Sequence, residues 1–335
     1  MNDAEPKEEG MTTLSTTSSP TRSLLDAVRA GVRVVDLGRR LTVGMPQSPN
    51  HPPYWHALPR RHGDMVRVDG GSAANVAAWL GSLGADVMFV GRAGRDGARR
   101  HTESLERFGV QARIAADGEH DTATIVITLD EAGERTMFVD RGANSALSTK
   151  DVPLSAWKDV RWVHLTGYSF FDPATRPVAQ EIVARARDRG AVVSVDPGSV
   201  AFLREAGVEE FVCWTSGVDV ILPNADELRC MTGEDDPDRA LLELSRWYPT
   251  AVATLGASGA VQMTPDGFLV RQRAEKAEVE DLTGAGDAFA AGFLAASADG
   301  LDAQQALRRG AETAALAVSR TGARPVLGES RPVIG

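Results

Sequence analysis

The chain has little cysteine and no long apolar stretch. Its two cysteines, Cys213 and Cys230, form no CxxC pair, which excludes a disulfide scaffold and a zinc ribbon and fits a reducing compartment. No run of about 18 apolar residues is present that could cross a membrane. The first residues, MNDAEPKEEGMTTLSTTSSPT, are polar and acidic, unlike a secretion signal, and predict a disordered tail over residues 1–21. These absences predict a cytoplasmic protein.

Several well-known catalytic motifs are missing as well. The chain contains no GxxxxGK[ST], which excludes a P-loop enzyme, and neither GxSxG nor HExxH. The segment GRAGRDG at 91–97 lacks the GxGxxG spacing of a dinucleotide-binding fold. The formal net charge of −10 argues against nucleic acid or an anionic membrane as the main partner.

The chain does contain short apolar runs that alternate with helical patterns from about residue 70 onward. Near-continuous hydrophobicity over strand length is typical of strands buried on both faces of a parallel sheet. The alternation predicts an α/β fold with a doubly wound sheet. The predicted strands are DVMFVG (86–91), RWVHLTG (161–167), AVVSVDP (191–197), VDVILPN (218–224) and TAVATLG (250–256).

Two further features locate a ligand site. Residues 120–142 read as two strands around DEAGER, a hairpin without a helix that could cover a pocket as a lid. In a doubly wound sheet the ligand lies at the carboxyl ends of the strands. Asp196, Asn224 and Gly256 each follow a predicted strand there.

The segment DLTGAGDAF (281–289) places glycines at the start of an apolar helix. Small residues at 284–286 let an anion approach the unpaired N–H groups of a helix N-terminus. Asp287 in the first turn could then take a proton from a hydroxyl that attacks a phosphoryl group. The alternative is structural, with Thr283 as an N-cap and Asp287 as a first-turn acid.

Three other segments have a functional and a structural interpretation. In PNADE (223–227), Asn224 and Glu227 suit an oxygen-rich Mg²⁺ site, but N-x-x-E is also a capping box. TLGASGA (254–260) is a strand with a glycine-rich turn that could lie against a nucleotide, or is simply a tight turn. GGSAAN (70–75) offers glycines and the amide of Asn75 to a hydroxylated ligand, or is simply a loop-to-helix junction.

Together these motifs resemble the ribokinase-like (PfkB-type) carbohydrate kinases. GGSAAN, GRAGRDG, DP at 196–197, NADE, TLGASGA and DLTGAGDAFAAGF occur in the family's order over about residues 66–325. The resemblance implies a three-layer, doubly wound and mostly parallel sheet with a small β lid. It implies a kinase domain over 70–330, with the lid hairpin at about 120–142, that transfers phosphate from ATP to a sugar hydroxyl with Mg²⁺.

The resemblance also assigns roles around the transferred phosphate. Asp287 corresponds to the base that deprotonates the sugar hydroxyl, and Gly284, Ala285 and Gly286 to the anion hole. Glu227 is expected to hold Mg²⁺ through water. The residues expected at the nucleotide and its phosphates are Asn224, Glu227, Thr254, Gly256, Gly259 and Asp196. DPGS replaces the family's frequent DPN-x-R, which removes one arginine expected near the phosphates.

Further roles concern the sugar and a second cation. The residues expected to hold the sugar are Gly70, Gly71 and Asn75, with Asp36 as a surrogate for the acid that the family carries on its first strand. Asp281 and Thr283, with SRTGA (319–323), resemble the segment that often binds a monovalent cation such as K⁺. Leu282 departs from the small or β-branched residue or proline that is usual there.

The segment 22–69 is atypical for a kinase of this kind. VRVVDLG (32–38) could be the first strand, yet DLGRRLTVGMPQSPNHPP resembles the start of the metal-dependent cyclase and kynurenine-formamidase-like proteins. That family's H-x-G-T-H-x-D motif is absent. A foreign segment here would replace the first strand and part of the lid.

The function predicted from the sequence is therefore ATP-dependent phosphorylation of a sugar hydroxyl. Two alternatives stay open: a nucleoside kinase of the same fold, and a catalytically impaired protein that binds nucleotide or sugar. The expected partner is a small sugar, not nucleic acid or a membrane, and a homodimer through the lid is expected from its exposed edges.

Overall fold

The computed structural model describes residues 34–36, 66–67, 69–129 and 135–326, and the predicted tail lies outside them. The strands are β1 Val34–Asp36, β2 Val66–Arg67, β3 Met88–Gly94, β4 Gln111–Asp117, β5 Thr124–Leu129, β6 Arg135–Asp140, β7 Trp162–Thr166, β8 Val192–Asp196, β9 Val220–Ile221, β10 Thr250–Thr254, β11 Ala260–Met263 and β12 Leu269–Gln272.

Helices follow most of the strands. They are α1 Ser72–Ser82, α2 Ala98–Glu106, α3 Tyr168–Phe171, α4 Arg176–Arg187, α5 Val200–Ala206, α6 Val208–Trp214, α7 Ala225–Thr232, α8 Pro237–Leu244, α9 Ala285–Ala298 and α10 Ala303–Val318. Among the residues described, none of these helices has the length and apolar character needed to cross a membrane.

The main sheet has the strand order β12-β11-β10-β9-β8-β7. Strands β7 to β10 are parallel, whereas β11 and β12 pair antiparallel at one edge. Strands β3 and β4 form a separate parallel pair. The predicted mostly parallel α/β arrangement is confirmed, with an antiparallel edge that makes the sheet mixed.

Alternate residues of each central strand enter two different cores. Val193, Val195 and Ala251 pack on one face with helices α4 to α8, while Val220 and Val252 pack on the other face with α1, α9 and α10. All five side chains are buried. This two-sided burial explains why the strands read as continuous apolar runs, and it gives the three layers of the fold.

Helices α9 and α10 lie unusually close to each other. A Cβ at Gly292 of α9 would lie 2.4 Å from Oγ1 of Thr313 and 2.5 Å from the carbonyl oxygen of Arg309. A Cβ at Gly310 of α10 would lie 2.8 Å from the ring of Phe289. Glycine at these two positions therefore permits the close approach that fixes α9, the helix with the predicted catalytic aspartate, against the body of the protein.

The lid is a four-stranded sheet in the order β2-β1-β5-β6. Strands β5 and β6 form the predicted hairpin, with Thr124 opposite Asp140 and Leu129 opposite Arg135. Strand β1 pairs antiparallel with β5 and parallel with β2. The atypical segment 22–69 thus supplies two strands of the lid, and VVD at 34–36 is the strand expected from VRVVDLG.

Candidate active site

Two glycines lie at the N-terminus of α9, and the structural need for glycine differs between the two positions. Gly284 has a φ of 79°, and a Cβ on it would lie 2.7 Å from Cα of Ala323. Gly284 is therefore required by packing and backbone conformation. A Cβ on Gly286 would meet nothing within 4 Å. The space in front of Gly286 is open, which fits an anion at the helix N-terminus.

Asp287 lies in the first turn of α9 and is held by the start of α1. The Ser72 hydroxyl donates to Oδ1 of Asp287 at 2.7 Å, and the amide nitrogen of Asn75 donates to Oδ2 at 2.8 Å. Both carboxylate oxygens are thus oriented by residues more than two hundred positions away in the chain. The predicted base and the predicted sugar-binding segment meet at one place.

Asn75 is itself held by Arg324, which lies near the C-terminus. The guanidinium Nε of Arg324 donates to Oδ1 of Asn75 at 3.2 Å, and its Nη2 donates to the carbonyl oxygen of Gly70 at 3.0 Å. Asn75 is 5% exposed and the Arg324 side chain 9% exposed. The sequence motifs contain no sign of this arginine.

Asn224 and Glu227 form the capping box that the sequence also allowed. Oδ1 of Asn224 accepts from the N–H groups of Asp226 and Glu227, and Oε2 of Glu227 accepts from the Asn224 N–H at 3.0 Å. Glu227 is 3% exposed, and this burial raises its pKa to about 7. The cap therefore contains a carboxylate whose charge is poorly compensated.

Asp196, at the carboxyl end of β8, faces the same region. Burial, followed by the negative charges of Glu227 and Asp287, raises the pKa of Asp196 well above its ordinary value. Carboxylates that repel one another in this way favour either a proton or a cation nearby. Among the described residues, no group of three or more His, Cys, Asp and Glu side chains is placed to hold a metal ion.

The turn after β10 is the predicted nucleotide segment. Thr254 pairs with Asn224 through an isolated bridge, and its N–H donates to the Pro223 carbonyl oxygen at 3.0 Å. Gly259 has a φ of 95°, and a Cβ on it would lie 2.0 Å from the Gln272 carbonyl oxygen, so it is needed for packing. A Cβ on Gly256 would meet nothing within 4 Å. The open face of the turn is at Gly256, beside the capping box.

Asp281 and Thr283 lie next to SRTGA, as the resemblance implied. Oδ1 of Asp281 accepts from the Thr283 N–H at 2.9 Å and from its hydroxyl at 2.6 Å, while Oδ2 accepts from the Gly322 N–H at 3.1 Å. Leu282 between them is 65% exposed. These bonds hold the turn before α9 against SRTGA (319–323). A monovalent cation at this place stays a prediction.

A cavity of about 180 Å³ lies between Gly70–Gly71 and the lid. In its wall, Arg141 forms an ion pair with Asp172 at 3.2 Å and lies 5.4 Å from the ring centre of Phe202. Although burial opposes it, bonds from the Ser145 hydroxyl and the Ala174 N–H and the charge of Arg141 lower the pKa of Asp172. Other residues in the wall are Phe89, Arg92, Asn144 and Tyr168.

Sequence reasoning missed several residues that the fold brings to this site. Ser72 lies inside GGSAAN, where only the glycines and Asn75 suggest a role, and Arg141 and Asp172 follow the lid and β7 without a motif. Their charges become recognisable only as an ion pair in the wall of the cavity. Gly70, Gly71 and Arg324 line that cavity as well, whereas the side chains of Asp36 and of Phe138 in the lid lie outside what the structure describes.

Comparison with known proteins assigns the class. The adenosine kinase of Sinorhizobium meliloti superposes with a TM-score of 0.76 and 25% identity, covering 89% of this chain and 94% of that one. The fold is therefore the ribokinase-like α/β fold of sugar and nucleoside kinases.

Sequence comparison then assigns the family. The pfkB family of carbohydrate kinases matches residues 53–328. A fructokinase of Escherichia coli is 31% identical over 285 residues, which are 81% of this chain and 92% of the relative. An ATP-dependent ribose-1-phosphate kinase of Halopiger xanaduensis is 32% identical over 267 residues, 76% of this chain and 82% of the relative. The chain belongs to the pfkB family of carbohydrate kinases, and its reaction class is ATP-dependent phosphorylation.

The family match also bears on the atypical segment. It begins at residue 53, inside the segment that resembles a cyclase start, and the cyclase resemblance finds no support in these comparisons.

Proposed function

We propose that this kinase phosphorylates a hydroxyl of a small carbohydrate, with Asp287 as the general base. The observation that carries the proposal is the placement of Asp287. Its carboxylate is held by Ser72 and Asn75 next to the open N-terminus of α9 and near the cavity under the lid. A base so placed can reach both an acceptor hydroxyl and a phosphoryl group.

The reaction that follows is an in-line transfer. Asp287 takes the proton of the acceptor hydroxyl as that oxygen forms a bond to the terminal phosphorus of ATP, and the bond from phosphorus to the bridging oxygen of ADP breaks. The positive end of α9 stabilises the negative charge of the transferred group, for which Gly286 leaves the space. The Ala285 N–H donates to the Leu282 carbonyl oxygen at 3.2 Å, which holds the turn in shape.

The residues present also fit the ions that the resemblance implies. Asp196 and Glu227 have raised pKa values in a shared region, so a divalent cation would relieve their repulsion. Mg²⁺ bound there, through water at Glu227, would neutralise charge on the phosphate oxygens. Asp281 and Thr283 are the proposed neighbours of K⁺. A homodimer through the lid and a cytoplasmic location complete the proposal.

A second candidate acceptor is a riboside. Three aromatic side chains, Phe89, Tyr168 and Phe202, line the cavity and would suit a base attached to the sugar. Tyr168 is anchored by the bond from its hydroxyl to the Gly198 carbonyl oxygen at 2.7 Å, and its ring meets that of Phe202 edge to face at 6.0 Å. The relatives named above include both sugar kinases and a nucleoside kinase.

The experiment that tests the proposal is acceptor-dependent ADP formation by the full chain with ATP and Mg²⁺. Pentoses, hexoses, sugar acids and nucleosides form the panel, with Asp287→Asn measured in parallel. Turnover on a free sugar, lost in the variant, is the expected result, while a clear preference for nucleosides would favour the second candidate. Nucleotide binding without turnover on any acceptor would identify the impaired binding protein instead.

A further inference from the structure

The residues 322–324, here called the C-terminal strap, connect the turn before α9 with helix α1. The Gly322 N–H donates to Asp281, and the Ala323 carbonyl oxygen accepts from the indole of Trp79 at 3.0 Å. Ala323 also fills the space that a side chain on Gly284 would need. The position of the next residue, Arg324, is thereby fixed relative to both helices that carry the site.

Arg324 is buried and makes several directed bonds. Besides its bonds to Asn75 and Gly70, its Nη1 donates to the Ser104 hydroxyl at 3.1 Å and lies 3.8 Å from Oδ2 of Asp69. Burying a guanidinium group is costly unless its N–H groups are satisfied. Asp69 also lies 3.5 Å from both Arg100 and His101, so neutralising this acid does not depend on Arg324 alone.

The bond between Arg324 and Asn75 helps to fix which way the Asn75 amide points. A guanidinium group has only donors, so the amide must turn its oxygen toward Arg324. The amide nitrogen then points the opposite way, toward Asp287. The Asp287 carboxylate has only acceptors when it is ionised, and its Oδ2 accepts a hydrogen bond from this nitrogen at 2.8 Å. Arg324 and Asp287 therefore favour the same orientation and hold the amide from its two ends; without Arg324 the amide oxygen loses this donor, and the amide is free to turn away from Asp287.

We propose that Arg324 is a positioning residue for the phosphoryl transfer: through its bond to Asn75 it holds the amide nitrogen on Asp287, and so keeps the base in its reactive orientation. The inference rests on the proposed function for its kinetic consequence, but the orientation of the amide is a property of the protein alone. Displacement of a catalytic group by about 1 Å can cost on the order of a hundredfold in rate.

The orientation is tested by NMR of the full chain labelled with ¹⁵N-asparagine. The chain has five asparagines, so the side-chain amide of Asn75 is identified by its loss in Asn75→Ala. Arg324→Met removes the donors, and we expect hydrogen exchange of the Asn75 amide to become at least about tenfold faster. Arg100→Met is the matched control, because Arg100 faces the same Asp69 without contacting Asn75.

Kinetics test the consequence. We expect Arg324→Met to lower kcat by about 10- to 100-fold with a smaller change in KM for ATP, and Arg100→Met to keep both close to wild type. Arg324→Lys retains a group that only donates hydrogen bonds, so it should recover part of the kcat lost in Arg324→Met. Unchanged exchange at Asn75 in Arg324→Met, or an equal loss of kcat in Arg100→Met, would overturn the inference. A wild type without turnover on any acceptor would refute the proposed function and leave the exchange result to decide on Arg324.

Discussion

The two sides of the site differ in how their charges are satisfied. On the acceptor side, each oxygen of Asp287 receives a hydrogen bond, and Asn75 is bonded at both ends of its amide. On the donor side, Glu227 and Asp196 have raised pKa values, because they are buried near other carboxylates. On the acceptor side, the protein alone supplies the hydrogen bonds of Asp287 and Asn75. On the donor side, the carboxylates carry negative charge that is unfavourable until a cation or a proton binds.

The proposed function explains this difference. A base must be oriented before the acceptor arrives, and fixed hydrogen bonds do this without a partner. A site for Mg²⁺ needs negative charge that the bound cation neutralises, and such charge destabilises the protein when the cation is absent. Changes on the two sides should therefore have different effects on stability, although both reduce activity.

The largest effect is expected from Asp287→Asn. The variant keeps the shape of the side chain but cannot accept a proton, so kcat should fall by about 10²- to 10⁴-fold. Acceptor-dependent ADP formation and nucleotide binding, measured side by side, check this, and binding should remain. A variant with more than a tenth of wild-type kcat would show that Asp287 is not the base.

Substitutions of two glycines of the anion hole should have smaller effects on kcat than Asp287→Asn and should differ from each other in their effect on Tm. Gly284→Ala places a methyl group against Ala323 at a positive φ, so we expect a lower Tm and a displaced strap. Gly286→Ala enters open space within a helix, so its Tm should equal or exceed that of wild type while kcat falls by about tenfold or more as the methyl group crowds the phosphoryl group. Thermal unfolding with turnover measures both, and normal turnover in Gly286→Ala would place the phosphoryl group elsewhere.

The smallest effect is expected from Ser72→Ala. It removes one of the two hydrogen bonds that orient Asp287, and a bond to a charged group contributes about 1.5–3 kcal/mol. We expect kcat to fall by about tenfold, with KM for ATP unchanged, because Asn75 still holds the other oxygen. A change in KM for ATP without a change in kcat would assign Ser72 to the donor side instead.

Much of the fold could be predicted because buried strands leave a local signal. The runs at 161–167, 191–197 and 250–256 contain the observed strands β7, β8 and β10. Strand β3 extends beyond the predicted end at 91, because Arg92 to Gly94 continue to pair with β4. The polar side chain of Arg92 hides this extension, since its ion pair with Asp117 at 2.8 Å is formed only in the folded chain.

The candidate site could be predicted where a residue belongs to a motif, and not where its proposed role depends on a distant partner. Asp287, Asn75 and Glu227 stand in short segments with characteristic glycines and spacing. Arg324 is a single basic residue in a loop, which in a sequence looks like any solvated charge. Its importance depends on the strap that brings it to Asn75, a residue 249 positions earlier.

The contrast between the two sides is tested most directly by the stability of Glu227→Gln from pH 4.5 to 8, with turnover measured on the same samples. Glutamine can still accept the Asn224 N–H, but it carries no charge. The pKa of Glu227 is about 7 in the folded protein, against an ordinary value of 4.5. Between these two pH values, the folded state therefore binds more protons than the unfolded state. The wild type loses stability as the pH rises from 4.5 to about 7. We predict that the variant gains Tm relative to wild type across this window, reaches its full advantage above about pH 7, and loses turnover. A variant that is no more stable than wild type at pH 8 would contradict the account.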